Sequence, residues 1–361
     1  MRIAVAEADL NEAGDLKALV EESWSALMDV SLDAELRMRA GVSLLIAADL
    51  SLDATLSAAG WNQVAALEPS LGRTNTQALR ARLIYHTVFG SSPVAVNTAR
   101  RLLRTHPLPS IDVGSVVARR NALFALQILG ELRAYWPTAV AAYEVMIERK
   151  IFTEAVYLAV TLAEDAIAAG DFGTALGWLS RAGGVVGRLH ETAEGVTQGY
   201  MSALSSIAMH AGDYASAASL LAQVHKRLRL VSAPRLRAIN SAYLSRLAVF
   251  QDKPLPSDGS LEVLRQDYDA GCKLGRQDTV VESLWLVYTR TNRSHDAARL
   301  LREYFAQHRR ELSRADWSLW HSTRADSIWR ECPTLRPKRL NSAPVPRDTL
   351  HSLVSMCVAL S

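Results

Sequence analysis

The chain has 361 residues, of which 49% are hydrophobic and 21% charged, so it can bury a core and is not broadly disordered. Lysine and arginine number 40 against 37 aspartates and glutamates, and a net charge of +3 singles out no class of partner. Three cysteines, Cys272, Cys332 and Cys357, are too few and too scattered for a disulfide framework and stand at no metal-ligand spacing. Collagen, a stapled secreted module and a low-complexity chain are excluded.

Residues 1–16 carry Glu7, Asp9, Glu12 and Asp15 with no basic region ahead of an apolar core, the reverse of a secretory signal. Residues 1–30 are expected to form an N-terminal capping helix with Leu16, Leu19, Val20, Trp24 and Leu27 on one face. The longest apolar runs, 40–48 and 155–163, stop at Asp49 and Glu164. Both fall well short of the roughly 20 residues a bilayer requires. The expectation is a cytoplasmic protein with reduced thiols and no membrane contact.

Residues 31–312 read as helix after helix. Prolines number only 12, and apolar residues recur at helical spacing, as in Leu158, Leu162 and Ala166 or Leu204, Ile207, Ala208 and Ala211. One segment explains the arrangement. Gly170-Asp171-Phe172 is followed by Ala175 and Ala182, and Gly212-Asp213-Tyr214 by Ala217 and Val224 at the same spacing. Glycine permits the left-handed residue that ends one helix, and aspartate caps the next. The aromatic staples the bend, and the small residue lets the two helices approach closely. Weaker copies place turns near Asp49, Gly90, Ala134 and Asn292, with Ala54, Ala95, Ala139 and Ala297 five residues later. The intervals are 41, 44, 36, 42 and 80 by residue number, and the last holds two units with the missing turn inside 251–259.

Helical hairpins with these residues resemble the tetratricopeptide repeat superfamily, in which Gly-Asp-Tyr and Ala open the second helix. The likeness is strongest over residues 155–225 and extends over roughly 15–312. The period here is longer than the family's roughly 34 residues. The Leu-Gly of the first helix is mostly absent, and Gly187, Arg229 and Ile151 stand where the family ends a unit with Pro. The longer period is similar to tetratricopeptide-like arrays of bacterial signalling and regulatory proteins. The resemblance implies an all-α, right-handed α-solenoid of about seven hairpins. It also implies that first helices line a concave groove, with Gln77, Arg80, Ile84, Asn121, Phe124, Tyr157, Glu164, Ser202, Ser206 and Arg246 at groove-facing positions. For each residue the alternative role is packing between neighbouring hairpins. The family's clamp of Lys and Asn for C-terminal carboxylates is not reproduced.

Beyond the array, 313–331 reads as a capping helix rich in tryptophan, with Trp317, Trp320 and Trp329. Residues 332–348 form a linker with Pro333, Pro337, Pro344 and Pro346 among basic residues. An apolar segment, 349–361, closes the chain and either caps the array, docks elsewhere on it or binds a partner.

Residues 1–70 hold 12 acidic and 4 basic side chains, so the remainder is the basic part. Its clusters are Arg100, Arg101 and Arg104; Arg119 and Arg120; Lys226, Arg227 and Arg229; and Arg309 and Arg310. Gathered on one surface they would attract nucleic acid; otherwise they cover solvated helix faces and pair with acidic neighbours. Walker loop, Gly-x-Ser-x-Gly elbow and His-Glu-x-x-His pair are all missing, and the nine histidines are dispersed. The expected function is therefore non-enzymatic and cofactor-free: a protein-interaction or regulatory module that binds a peptide or protein partner in the groove. The alternative is a sensory or effector region of a transcription regulator or signalling protein, touching nucleic acid or a small ligand, with Trp136, Trp178 and Trp285 near the turns.

Overall fold

Short polar side chains set where many of the helices begin. Asp33, Asp53, Asn75, Asp171 and Asp213 each accept a hydrogen bond from the backbone N–H three residues on, at 2.8–3.1 Å. Each bond satisfies one of the donors a helix start leaves open. The computed structural model describes residues 16–72, 74–108, 113–186, 194–228, 234–272, 278–307, 350–351 and 353–354. Among them the fold is all-α, with no strand. Fifteen helices follow in order: α1 (Leu16–Met28), α2 (Ala34–Ser51), α3 (Ala54–Leu71), α4 (Thr76–Val88), α5 (Ser92–Thr105), α6 (Val113–Ile128), α7 (Trp136–Glu148), α8 (Phe152–Ala168), α9 (Phe172–Val186), α10 (Glu194–Ala211), α11 (Tyr214–Leu228), α12 (Pro234–Phe250), α13 (Leu261–Cys272), α14 (Asp278–Arg290) and α15 (Ser294–Gln307). The expected tryptophan-rich helix at 313–331 and the linker at 332–348 lie outside the described residues, as do residues 1–15.

One turn geometry recurs along the chain. Gly130, Gly170, Gly212, Asp252 and Asn292 all sit in the left-handed region, with φ between 56° and 76°, at intervals of 40, 42, 40 and 40 residues. Each N–H bonds back three residues, and the next N–H bonds back five, as in Gly170 to Ile167 O (2.8 Å) and Asp171 to Ala166 O (2.9 Å). This is the paired C-terminal closure that stops a helix without stranding its last carbonyls. Lys150, with φ 60°, makes the same turn between α7 and α8, and Leu52 makes it three residues beyond the expected Asp49. The small residue buried behind it is consequently Ser57, at 0% exposure, rather than Ala54. Gly130 likewise precedes the expected Ala134, because a short 3-10 turn, Leu132–Tyr135, intervenes before α7.

The turn after α4 is built differently. The Ser91 N–H bonds the Nδ1 of His86 at 3.1 Å, so an imidazole stands in for a carbonyl. A Cβ on Gly90 would lie 2.3 Å from that nitrogen, which leaves glycine as the residue that fits. Past the turns, Ala95, Ala139, Ala175, Ala217 and Ala297 are fully buried, as close helix approach demands.

The chain divides into two compact units: Met1–Leu158 with Arg188–Thr197 and Arg227–Leu236, and Ala159–Gly187 with Gln198–Lys226 and Arg237–Ser361. In the first, α2 packs against α1, α3 and α4, and α4 packs in turn against α5 and α6. Its N-terminal core joins Leu27 of α1 to Met38, Leu44 and Leu45 of α2, Val64 of α3 and Ala81 of α4. An ion pair between Asp49 and Arg235 links positions 186 residues apart within this unit. In the second, α14 packs against α13 and α15, and Leu264, Tyr268, Val281, Leu284, Trp285 and Leu300 form one core.

Candidate functional site

Polar side chains concentrate where one first helix meets the next. In the first unit, Arg120 of α6 donates through Nε to Glu154 Oε2 of α8 at 2.7 Å. Its guanidinium lies 5.0 Å from the ring centre of Tyr157, three residues along from Glu154. Burial works against the Arg120 cation, but the Glu154 carboxylate outweighs it and holds the guanidinium above the usual arginine range. The Tyr157 hydroxyl is pushed up to about 12, mainly by burial and against the pull of Arg120. It stays neutral at any physiological pH.

The second unit carries a counterpart. Arg246 of α12 pairs with Glu282 of α14, and donates to Ser283 Oγ at 2.9 Å and Thr279 O at 3.0 Å. Tyr243 sits under the guanidinium at 5.3 Å and is also pushed up to about 12 by burial. Glu164 of α8 contributes to that field, which places it beside the cluster. His210 of α10 feels burial first and the Arg246 charge second, and its pKa falls to about 4. Its ring packs 5.0 Å from Phe172, beside the Gly170 turn, and 6.4 Å from Phe250, beside the Asp252 turn.

A third network holds α4, α5 and α6 together. His106 lies between two hydroxyls, Thr76 Oγ1 at 2.9 Å and Ser115 Oγ at 2.8 Å, and its carbonyl accepts two bonds from Arg119. Nearby in sequence, Arg80 donates to Gln77 Oε1 at 2.8 Å across one turn of α4. On α13, Asp267 has a carboxylate oxygen shut off from solvent without a hydrogen-bond partner, and burial lifts its pKa to about 6 against the opposing charge of Arg237.

The residues expected to face a groove thus divide into two groups. Gln77, Arg80, Asn121, Ser206 and Arg246 are buried, none more than 9% exposed. Ile84, Phe124, Tyr157, Glu164 and Ser202 are half-buried. Gln77, Arg80, Asn121, Phe124 and Tyr157 belong to the first unit, and Glu164, Ser202, Ser206 and Arg246 to the second. Glu154, Tyr243, Glu282 and Ser283 escaped sequence reasoning, and Arg120 was marked only as one of a basic cluster. The signal that marks them is an Arg followed 34 or 36 residues later by a Glu, close to one hairpin along. Of the basic clusters, Arg100 faces Glu131 at 3.6 Å, Arg120 pairs with Glu154 and Arg119 binds a carbonyl. Trp136 and Trp178 each lie under an arginine, Arg133 and Arg181, and Trp285 is core.

Among the described residues, no group of three His, Cys, Asp or Glu side chains is placed to hold a metal ion. No described helix is long and apolar enough to cross a membrane. No family model matches the chain, and no curated protein matches it in sequence.

Proposed function

We propose that the protein is a non-enzymatic interaction module of the cytoplasm: a right-handed solenoid of about seven tetratricopeptide-like hairpins that binds a peptide or protein partner along its first helices. The observation that carries the reading is the side-by-side packing of α2, α4 and α6, each flanked by a second helix, with one turn geometry at intervals of about 40 residues. Stacked hairpins bury faces that none buries alone, and they leave one continuous row of first helices for a ligand. In this reading the buried polar residues, Arg246 above all, hold neighbouring first helices in register. Recognition falls to the half-buried set of Phe124, Tyr157, Glu164 and Ser202, in which aromatic area and polar atoms alternate.

The test is affinity capture from native lysate, with and without nuclease, comparing the wild type with a Phe124→Ala, Ser202→Arg variant. A stoichiometric protein that survives nuclease and is lost from the variant supports the module. Recovery that disappears with nuclease overturns it in favour of a nucleic-acid regulator.

A further inference from the structure

The turn between α4 and α5 is closed by a titratable ring. The Nδ1 of His86 accepts the Ser91 N–H at 3.1 Å, and a Cβ on Gly90 would stand 2.3 Å from that nitrogen, so the ring lies flush on bare backbone. Trp61 of α3 meets the ring edge-on at 5.2 Å and 76°, and Tyr85 of α4 meets it at 5.2 Å and 81°. An acceptor at Nδ1 places the proton of the neutral ring on Nε2. The ring is half-buried, so solvent protons reach it.

Protonation turns Nδ1 into a donor, and a backbone N–H has no lone pair to receive it. Two donors then face each other across 3.1 Å. The far end of α5 is built the other way. His106 meets Thr76 Oγ1 at 2.9 Å and Ser115 Oγ at 2.8 Å, and a hydroxyl accepts as readily as it donates. A proton on His106 is met by turning a hydroxyl, whereas a proton on His86 has no such outlet. Turns closed on carbonyls, as at Gly130, do not titrate at all.

We propose that His86 is an acid-sensitive latch: the neutral ring holds the α4–α5 turn shut, and the imidazolium releases Ser91 and with it the start of α5. Among the described residues the charges that act on the ring are Arg82 of α4 and Glu68 of α3, and these two are bonded to each other at 3.0 Å. Burial first, and Arg82 second, hold the His86 pKa below its ordinary 6.5, with Glu68 opposing them. A released ring therefore takes the proton before a seated one does. The latch is closed above about pH 6.5 and opens as pH falls below it. Because α4 packs against α2, α3, α5 and α6, the release acts inside the stack of the first unit.

The test is nuclear magnetic resonance of the full chain, read at His86 and Ser91, because the titrations of His210 and Asp267 mask a global signal. The ring nitrogen shifts are expected to show Nε2–H in the neutral form and a titration midpoint below 6.5. The Ser91 amide proton is expected to lose its downfield position with that same midpoint, while the Gly130 amide holds its own. Gly90→Ala pushes the ring off its seat and puts the Ser91 amide at the acid position already at about pH 8. His86→Phe keeps an aromatic ring beside Trp61, removes the acceptor and gives a Ser91 amide that no longer responds to pH. If neither variant folds, the wild-type titration carries the test by itself. A Ser91 amide that stays in place while the ring takes its proton overturns the proposal. So does a neutral ring protonated on Nδ1, or a midpoint above 6.5.

Discussion

The two arginine–glutamate–tyrosine clusters use the same chemistry at different depths. In the first unit, the side chains of Arg120 and Glu154 keep 21% and 12% of their surface in solvent, and Glu154 and Tyr157 lie on the same helix. In the second, Arg246 keeps only 4%, Tyr243 lies on the arginine's own helix, and Ser283 and Thr279 take further donors. A buried pair gains little net stability over an apolar pair, yet losing one member strands the other charge without water. The second cluster is therefore the more exacting: it specifies one register between α12 and α14 and tolerates no single loss. In the first the glutamate is equally covered, at 12% in both pairs, and the difference in depth lies with the arginine.

Removing arginine separately from each cluster tests that contrast most strongly. Arg246→Met is expected to cost about 3–5 kcal/mol by taking the arginine away from the buried Glu282 carboxylate. Arg120→Met costs about 1–2 kcal/mol because solvent already reaches the arginine's side of that pair and can enter the space it leaves. Both are read from the midpoint of urea unfolding, and equal losses would show that depth does not set the cost. In the double variant Arg246→Met, Glu282→Leu most of the loss returns.

Two groups of the second unit respond to acid with opposite signs. His210 has a folded pKa of about 4 against an ordinary value near 6.5, so the unfolded chain takes its proton first. Its contribution is present above about pH 6.5 and is lost as pH falls toward 4, on the order of 2–3 kcal/mol in all. His210→Phe should flatten that part of the stability profile. Asp267 has the opposite sign, since a folded pKa of about 6 means burial opposes its charge. Asp267→Asn is expected to raise stability at pH 7.5 by about 1–2 kcal/mol and to leave it unchanged near pH 4. A loss at pH 7.5 would assign the carboxylate a favourable partner.

The smallest effects lie at the turns. Gly212→Ala forces a Cβ into the left-handed region, where Gly212 has φ 76°, and costs about 1–2 kcal/mol. Leu52→Gly relieves the same constraint at φ 56° and gains less than about 1 kcal/mol. Thermal unfolding of the two variants distinguishes turns that tolerate side chains from turns that do not.

Much of the helical content was legible in the order of residues, because a turn is local chemistry. Glycine at 170 and 212 announces a left-handed residue, aspartate beside it announces a cap, and alanine five positions on announces close helix packing. Where another residue does the same job, the signal fades. Leu52, Asp252 and Asn292 adopt the left-handed turn without being glycine, and the turn after α4 borrows the ring of His86. Of these, only the Leu52 boundary drifted, three residues from the expected Asp49; the turns at Asn292 and inside 251–259 fall where expected. The candidate site was less legible. The resemblance to tetratricopeptide repeats marked Arg80, Asn121, Ser206 and Arg246 as positions on first helices, but whether a polar side chain faces solvent or a neighbouring helix depends on what the next hairpin brings to it.

Local chemistry set the all-α character of the described residues, the position of their turns and the caps that start their helices, since each depends on bonds between residues fewer than six apart. Tertiary structure alone decided that Arg246 is buried against Glu282 36 residues away and that Asp49 meets Arg235 across 186. Those pairings depend on how helices stack, and no local spacing encodes which distant side chain will displace water from a given charge.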